Sequence, residues 1–190
     1  MRNSGSDVTS AGNTPAVALT LKSAYVLVRN VEFVANRGRA VNVKFSSETR
    51  EKESEVTITQ NTMWHMQGPG VVRVENVGIR AANVWLTRND IRYNNGLVRD
   101  SCIEILNATL DMEGNVVYNN SAQYILHMRD DLTGSALPKR VVANLFWLNV
   151  GLEQSRKHTI AASVYDLVFF GNALQNPANS LEFIPFPTYK

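Results

Sequence analysis

The chain has 190 residues, 44% of them hydrophobic and 19% charged, with a formal charge of +2. That balance supplies no concentrated basic face for nucleic acid, the apolar fraction is too high for a disordered chain, and no run approaches the roughly 18–20 apolar residues of a membrane-spanning helix. The length suits one domain, and a single cysteine, Cys102, excludes an internal disulfide framework and any multi-cysteine metal site.

Met1–Thr14 is polar and rich in Ser, Gly and Asn, so residues 1–15 are expected to be disordered. AVALTL (Ala16–Leu21) is too short and too late for a secretory signal. From there the chain repeats. Six segments align on one asparagine: VLVRN at Asn30, TITQN at Asn61, WLTRN at Asn89, MEGN at Asn115, VVAN at Asn144 and FFGN at Asn172. A second amide follows four to six positions later, at Asn36, Gln67, Asn95, Asn119 and Asn120, Asn149 and Asn176. A second short strand then recurs, as in AVNVKF, VVRVENV, SCIEIL, AQYILHM and SLEFI. The repeat ends before IPFPTYK, giving one domain over residues 16–184 and a tail over 185–190. No segment at either end reads as a cap, so a piece of a longer protein is expected.

A unit of this length cannot bury its own apolar face, so the units must stack. With 22 valines and 20 asparagines, the pattern joins strand formers to residues that tolerate left-handed turns. Leucine-rich repeats have a similar length, but their dense leucine pattern is missing. The expected fold is all-β: a right-handed parallel β-helix of about six rungs with one or two strands each. The asparagines at 30, 61, 89, 115, 144 and 172 are expected to occupy the positive-φ turn position and to form a hydrogen-bonded ladder.

Three polar insertions interrupt the repeat: Ser46–Glu55, Asp130–Lys139 and Gly151–His158. The first two share a phase and should project from one side; solvated surface loops are the favoured reading, and a contact face is the alternative. Candidate chemistry is sparse. Glycoside cleavage needs two carboxylates about 5–10 Å apart, and the best pair by sequence is Asp130 and Asp131, beside His127 and Arg129. They are fallback candidates only; no catalytic residue, metal or cofactor is expected. His65, His127 and His158 lie in different units at different phases. Trp64, Trp85 and Trp147 would form a sugar-stacking stripe if exposed; Trp64 and Trp147 share a phase, and stacked aromatics at one phase are more often core or ladder packing. Two sequons, at Asn107 and Asn119, become glycosylation sites only in an extracellular chain.

The asparagine-marked units resemble the right-handed β-helix repeats of the pectin-lyase-like superfamily, over about Ala24–Ile184. The polygalacturonase-type Asn-Thr-Asp, Gly-His-Gly and Arg-Ile-Lys stretches are absent. LTRNDIRYNN, LDMEGNVVYNN and VFFGNALQNPANSLEF are similar to ectodomain repeats of the bark beetle (Anakonda) family of tricellular-junction proteins. That resemblance implies a non-enzymatic, extracellular adhesion scaffold within a membrane-anchored protein. Its partners would be other ectodomains or a second copy. The alternative expectation is a polysaccharide lyase, hydrolase or carbohydrate-binding module.

Overall fold

Each apolar stretch of the repeat pairs in parallel with the matching stretch one repeat later. A computed structural model describes residues 17–21, 25–45, 54–77, 82–95, 100–131, 137–152, 159–164, 166–175 and 181–183. The expected disordered terminus (1–15), the 185–190 tail, His158, Asn176 and most of the three insertions lie outside these residues. Twenty-one strands and no helix occur among the described residues. They begin with β1 (Val17–Leu21), β2 (Tyr25–Arg29), β3 (Glu32–Val34) and β4 (Val41–Phe45). β5 (Ser54–Thr59), β6 (Thr62–Trp64) and β7 (Val72–Asn76) form the next coil, then β8 (Ala82–Thr87), β9 (Asp90–Arg92) and β10 (Ile103–Leu106). β11 (Thr109–Glu113), β12 (Val116–Tyr118), β13 (Ser121–Ala122) and β14 (Leu126–Arg129) follow. The last are β15 (Lys139–Val142), β16 (Leu145–Trp147), β17 (Val150–Gly151), β18 (Ile160–Ser163), β19 (Leu167–Phe170), β20 (Ala173–Gln175) and β21 (Leu181–Phe183).

The chain is a parallel β-solenoid. Sheet I stacks β1-β4-β7-β10-β14-β18-β21, sheet II β2-β5-β8-β11-β15-β19 and sheet III β3-β6-β9-β12-β16-β20. Most coils therefore carry three strands, not one or two. The third is the short segment after the ladder asparagine, which looks like part of a turn because it has only three residues. Along strands such as β4, β5, β7 and β8 alternate side chains point inward and stack with their equivalents, making aliphatic columns such as Val56, Val84 and Leu110 on sheet II. On sheet III the inward column is Phe33, Met63, Ile91, Val117 and Phe146, all fully buried. Parallel sheets tolerate this because their buried face can be apolar throughout.

The asparagine ladder fixes the register at the corner between sheets II and III. Asn61 Nδ2 donates to Asn89 Oδ1 (3.0 Å), Asn89 to Asn115 (2.9 Å), Asn115 to Asn144 (2.9 Å) and Asn144 to Asn172 (3.0 Å). The backbone N–H of each donor residue reaches the same oxygen, as from Asn89 to Asn115 at 2.9 Å. The second amide hydrogen donates backwards, from Asn89 to the Ile58 carbonyl at 2.8 Å. One side chain thus ties three successive coils.

Two expectations need correction. Positive φ falls on the residue before the ladder, at Gln60 (57°), Arg88 (54°), Gly114 (65°), Ala143 (54°) and Gly171 (65°), and the ladder asparagines are not among the positive-φ residues. Asn30, at φ 55°, belongs to that preceding position and is exposed. The ladder position in its coil is Val31, whose N–H donates to Asn61 Oδ1 at 3.0 Å. The VLVRN alignment is shifted by one because an asparagine also suits the left-handed site.

A second ladder stands five residues on, where sheet III ends. Asn94 Nδ2 donates to Asn120 Oδ1 (2.9 Å) and Asn120 Nδ2 to Asn149 Oδ1 (3.0 Å), each again preceded by a positive-φ residue: Tyr93 (53°), Asn119 (52°) and Leu148 (50°). Met66 replaces the amide in one coil, and its N–H donates to Asn94 Oδ1 at 2.8 Å.

Candidate functional site

The fallback catalytic cluster does not assemble. Asp130 turns into the core and Asp131 turns out to solvent, so the adjacent carboxylates face opposite sides of the backbone. Lys139 holds Asp130 through both oxygens, at 2.9 and 2.8 Å, and donates to the Leu137 carbonyl at 2.8 Å. Lys139 occupies the inward column that otherwise contains Val56, Val84 and Leu110. Burial pushes the Asp130 carboxyl up and the Lys139 ammonium down, and the contact between them opposes both shifts. The pair closes the base of the Asp130–Lys139 insertion. Asp131 pairs instead with Arg129, on the surface, at 3.0 Å.

His127 lies half-buried on the outer face of sheet I, in one register column with Asn42, Arg73 and Glu104. Its Nδ1 is 3.6 Å from Glu104, which also meets Arg73 at 3.4 Å. Burial pushes the Glu104 carboxyl up, yet the His127 hydrogen bond and the Arg73 charge outweigh it and leave the group below the usual glutamate range. This face is an ion-pair network. Among the described residues no group of three or more His, Cys, Asp or Glu side chains could hold a metal ion.

Cys102 is fully buried, and burial pushes its thiol up to about 12. Asn107 is also nearly buried, and its Oδ1 accepts the Asp131 N–H at 2.6 Å; Asn119 is exposed at its turn.

The outer face of sheet III is different. Its second outward column runs Val34, Trp64, Arg92, Tyr118, Trp147 and Gln175, so Trp64 and Trp147 share a register column as their common phase implies. Trp85 lies elsewhere, on sheet II. The positive-φ residues His65 and Tyr93 stand beside the column, which extends the ring series from Trp64 through His65, Tyr93 and Tyr118 to Trp147. Successive centroids are 4.8, 6.0, 5.3 and 6.1 Å apart. Arg92 lies 5.8 Å from the Trp64 ring and 6.0 Å from that of Tyr118, and it donates to Tyr118 Oη at 2.9 Å. Asp90 meets Arg92 at 3.4 Å, and burial pushes its carboxyl up against that charge.

The lower part of the face is apolar. Val116, Leu145, Trp147, Leu148 and Val150 are each between 37% and 46% exposed. Single exposed apolar residues are ordinary, whereas a contiguous set on a rigid sheet marks a contact surface. Sequence phase locates Trp64 and Trp147, but it misses Tyr93 and His65, because positive φ at a bulky residue carries no motif.

Among the described residues, cavities at the corners of the solenoid include the following two. One, of about 390 Å³, is lined by Arg29, Gln60, Arg88, Glu113 and two threonines; its single carboxylate, Glu113, is bound by Arg140 at 2.7 Å. The other, of about 300 Å³, lies between His65 and Tyr93, above Met66 and beside Gln67 and Asn95. Neither brings two carboxylates together.

No family model, no curated protein and no solved structure matches the chain. The parallel β-solenoid therefore stands on the strand pairing itself.

Proposed function

We propose that the chain is a non-catalytic β-solenoid scaffold that meets its partner through the outer face of sheet III. The observation that carries this reading is the ring column from half-buried Trp64 to exposed Trp147, continued by exposed Leu145 and Leu148 and by Val150 on the adjoining β17. Interaction surfaces draw their affinity from a few large aromatic anchors held rigidly, and parallel strands locked by two amide ladders supply that rigidity. Sheet I instead directs ion pairs outward, between Lys44, Glu75, Arg73 and Glu104.

The setting we propose is an extracellular cell-surface adhesion protein, on the strength of the similarity of Leu86–Asn95 and Leu110–Asn120 to tricellular-junction ectodomain repeats. Its partners would be another ectodomain or a second copy of the chain. Carbohydrate binding is the second reading, favoured by the mixture of rings and amides around His65 and Tyr93. Polysaccharide cleavage has less support, since Asp130 is neutralised inside the core and Asp131 faces away from it.

Incubating the purified chain with a panel of acidic and neutral polysaccharides, calcium present, tests the non-catalytic reading. No release of reducing or unsaturated ends is expected. Sustained release would overturn it.

A further inference from the structure

The corner cavity between His65 and Tyr93 combines exposed rings with side-chain amides. Its walls are an imidazole and a phenol, its floor is the buried Met66 and its rim carries the side-chain amides of Gln67 and Asn95. His65 and Tyr93 hold φ of 56° and 53°, where Asn or Gly would sit with less strain. Positive φ recurs at this corner at Ala35, Asn119 and Leu148, so the turn imposes it; the two rings are set apart by standing exposed side by side over one cavity.

The amides are positioned to act. Asn95 Oδ1 accepts from Ser121 Oγ at 3.2 Å, which fixes the amide and leaves its Nδ2 hydrogens to donate. The Gln67 side chain makes no hydrogen bond among the described residues. The cavity lining holds no carboxylate and no lysine or arginine. The guanidinium of Arg92, next to Tyr93 in the chain, is held by Tyr118 and Asp90.

Resting on the reading of sheet III as a binding face, we propose that this cavity binds a neutral pyranose sugar, the terminal or internal residue of a glycan lying along the column toward Tyr118 and Trp147. An aromatic face is electron-rich and attracts the polarised C–H groups on the apolar face of a pyranose, while amides match its hydroxyls as donors and acceptors together. The lining offers a charged ligand no carboxylate, lysine or arginine. A protein segment would need a larger apolar seat than one buried methionine. Trp147 stands two coils from Tyr93, roughly 10 Å along the axis, so a second sugar of the same glycan passes over it.

The test titrates the purified chain with cellohexaose, xylohexaose, mannohexaose and chitohexaose, followed by tryptophan fluorescence and calorimetry. At least one is expected to bind saturably. Tyr93→Asn, which suits the left-handed turn but removes the ring, should weaken that binding about tenfold. Gln67→Ala should weaken it severalfold, and Trp85→Ala, on sheet II, should leave it unchanged. Binding by none of the four, binding only to an acidic polymer such as polygalacturonate, or binding that survives both Tyr93→Asn and Gln67→Ala would overturn the proposal. If no glycan binds while Trp147→Asp still abolishes cell association, the sugar ligand is lost and the binding face stands. If glycans bind as expected and Trp147→Asp leaves cell association intact, the cavity stands without the adhesion reading.

Discussion

Asn89 Nδ2 donates to Asn115 Oδ1 across 2.9 Å in a buried site, and Asn115 repeats the contact to Asn144 at the same distance. Removing one amide from this series strands partners on both sides. Asn115→Ala leaves the Asn89 N–H and Nδ2, together with the Leu86 carbonyl, without their bonds. Each unsatisfied buried group costs about 1–3 kcal/mol, so a loss of at least about 3 kcal/mol is expected in urea unfolding. Asn30→Gly is the control. Asn30 is exposed at positive φ outside the ladder, and this change should alter stability by less than about 1 kcal/mol.

Lys139 in an aliphatic column is tolerable only beside Asp130. Asp130→Asn removes the countercharge and should destabilise the chain by about 3–5 kcal/mol. Replacing both, as Asp130→Leu with Lys139→Met, should recover most of that loss. Melting temperatures of the three chains check this, and a double variant no better than the single one would refute the isolated-charge explanation.

Glu104 titrates below the usual glutamate range, so it binds its proton less readily folded than unfolded. Its contribution to stability is complete above the ordinary value of 4.5 and is lost as pH falls through its lower folded value. Melting temperature measured from pH 7 to pH 3 should therefore fall more steeply for the wild type than for Glu104→Gln, with the divergence confined to the acid side of about 4.5. Parallel curves would mean that the Arg73–Glu104–His127 contacts contribute nothing to folding.

Burial with a thiol pushed up to about 12 makes Cys102 unreactive. A thiol-specific reagent at pH 8 is expected to leave the native chain unlabelled and to label it fully in denaturant. Rapid native labelling would show that sheet I opens at β10.

The stacking is legible in the sequence because five successive coils keep an amide at the ladder position, and only the first coil, with Val31, departs from it. Asn61, Asn89, Asn115, Asn144 and Asn172 recur at one phase wherever the register must be held. Asn30 was misplaced for a physical reason: asparagine serves both the left-handed site and the ladder beside it, and the letters do not distinguish them. Lys139 and Asp130 look like loop residues in the sequence because nine positions separate two groups that meet inside the core. Trp64 and Trp147 were found by phase, whereas His65 and Tyr93 were not, since their exposure depends on a positive φ that no motif announces.

The most direct test of sheet III as the binding face is aggregation of cells displaying the chain on a membrane anchor. Wild-type cells are expected to aggregate, cells carrying Trp147→Asp to remain dispersed, and cells carrying Arg140→Asp, on sheet II, to aggregate as the wild type does, all three chains melting within a few degrees of one another. Aggregation undiminished by Trp147→Asp in a folded chain would contradict the account.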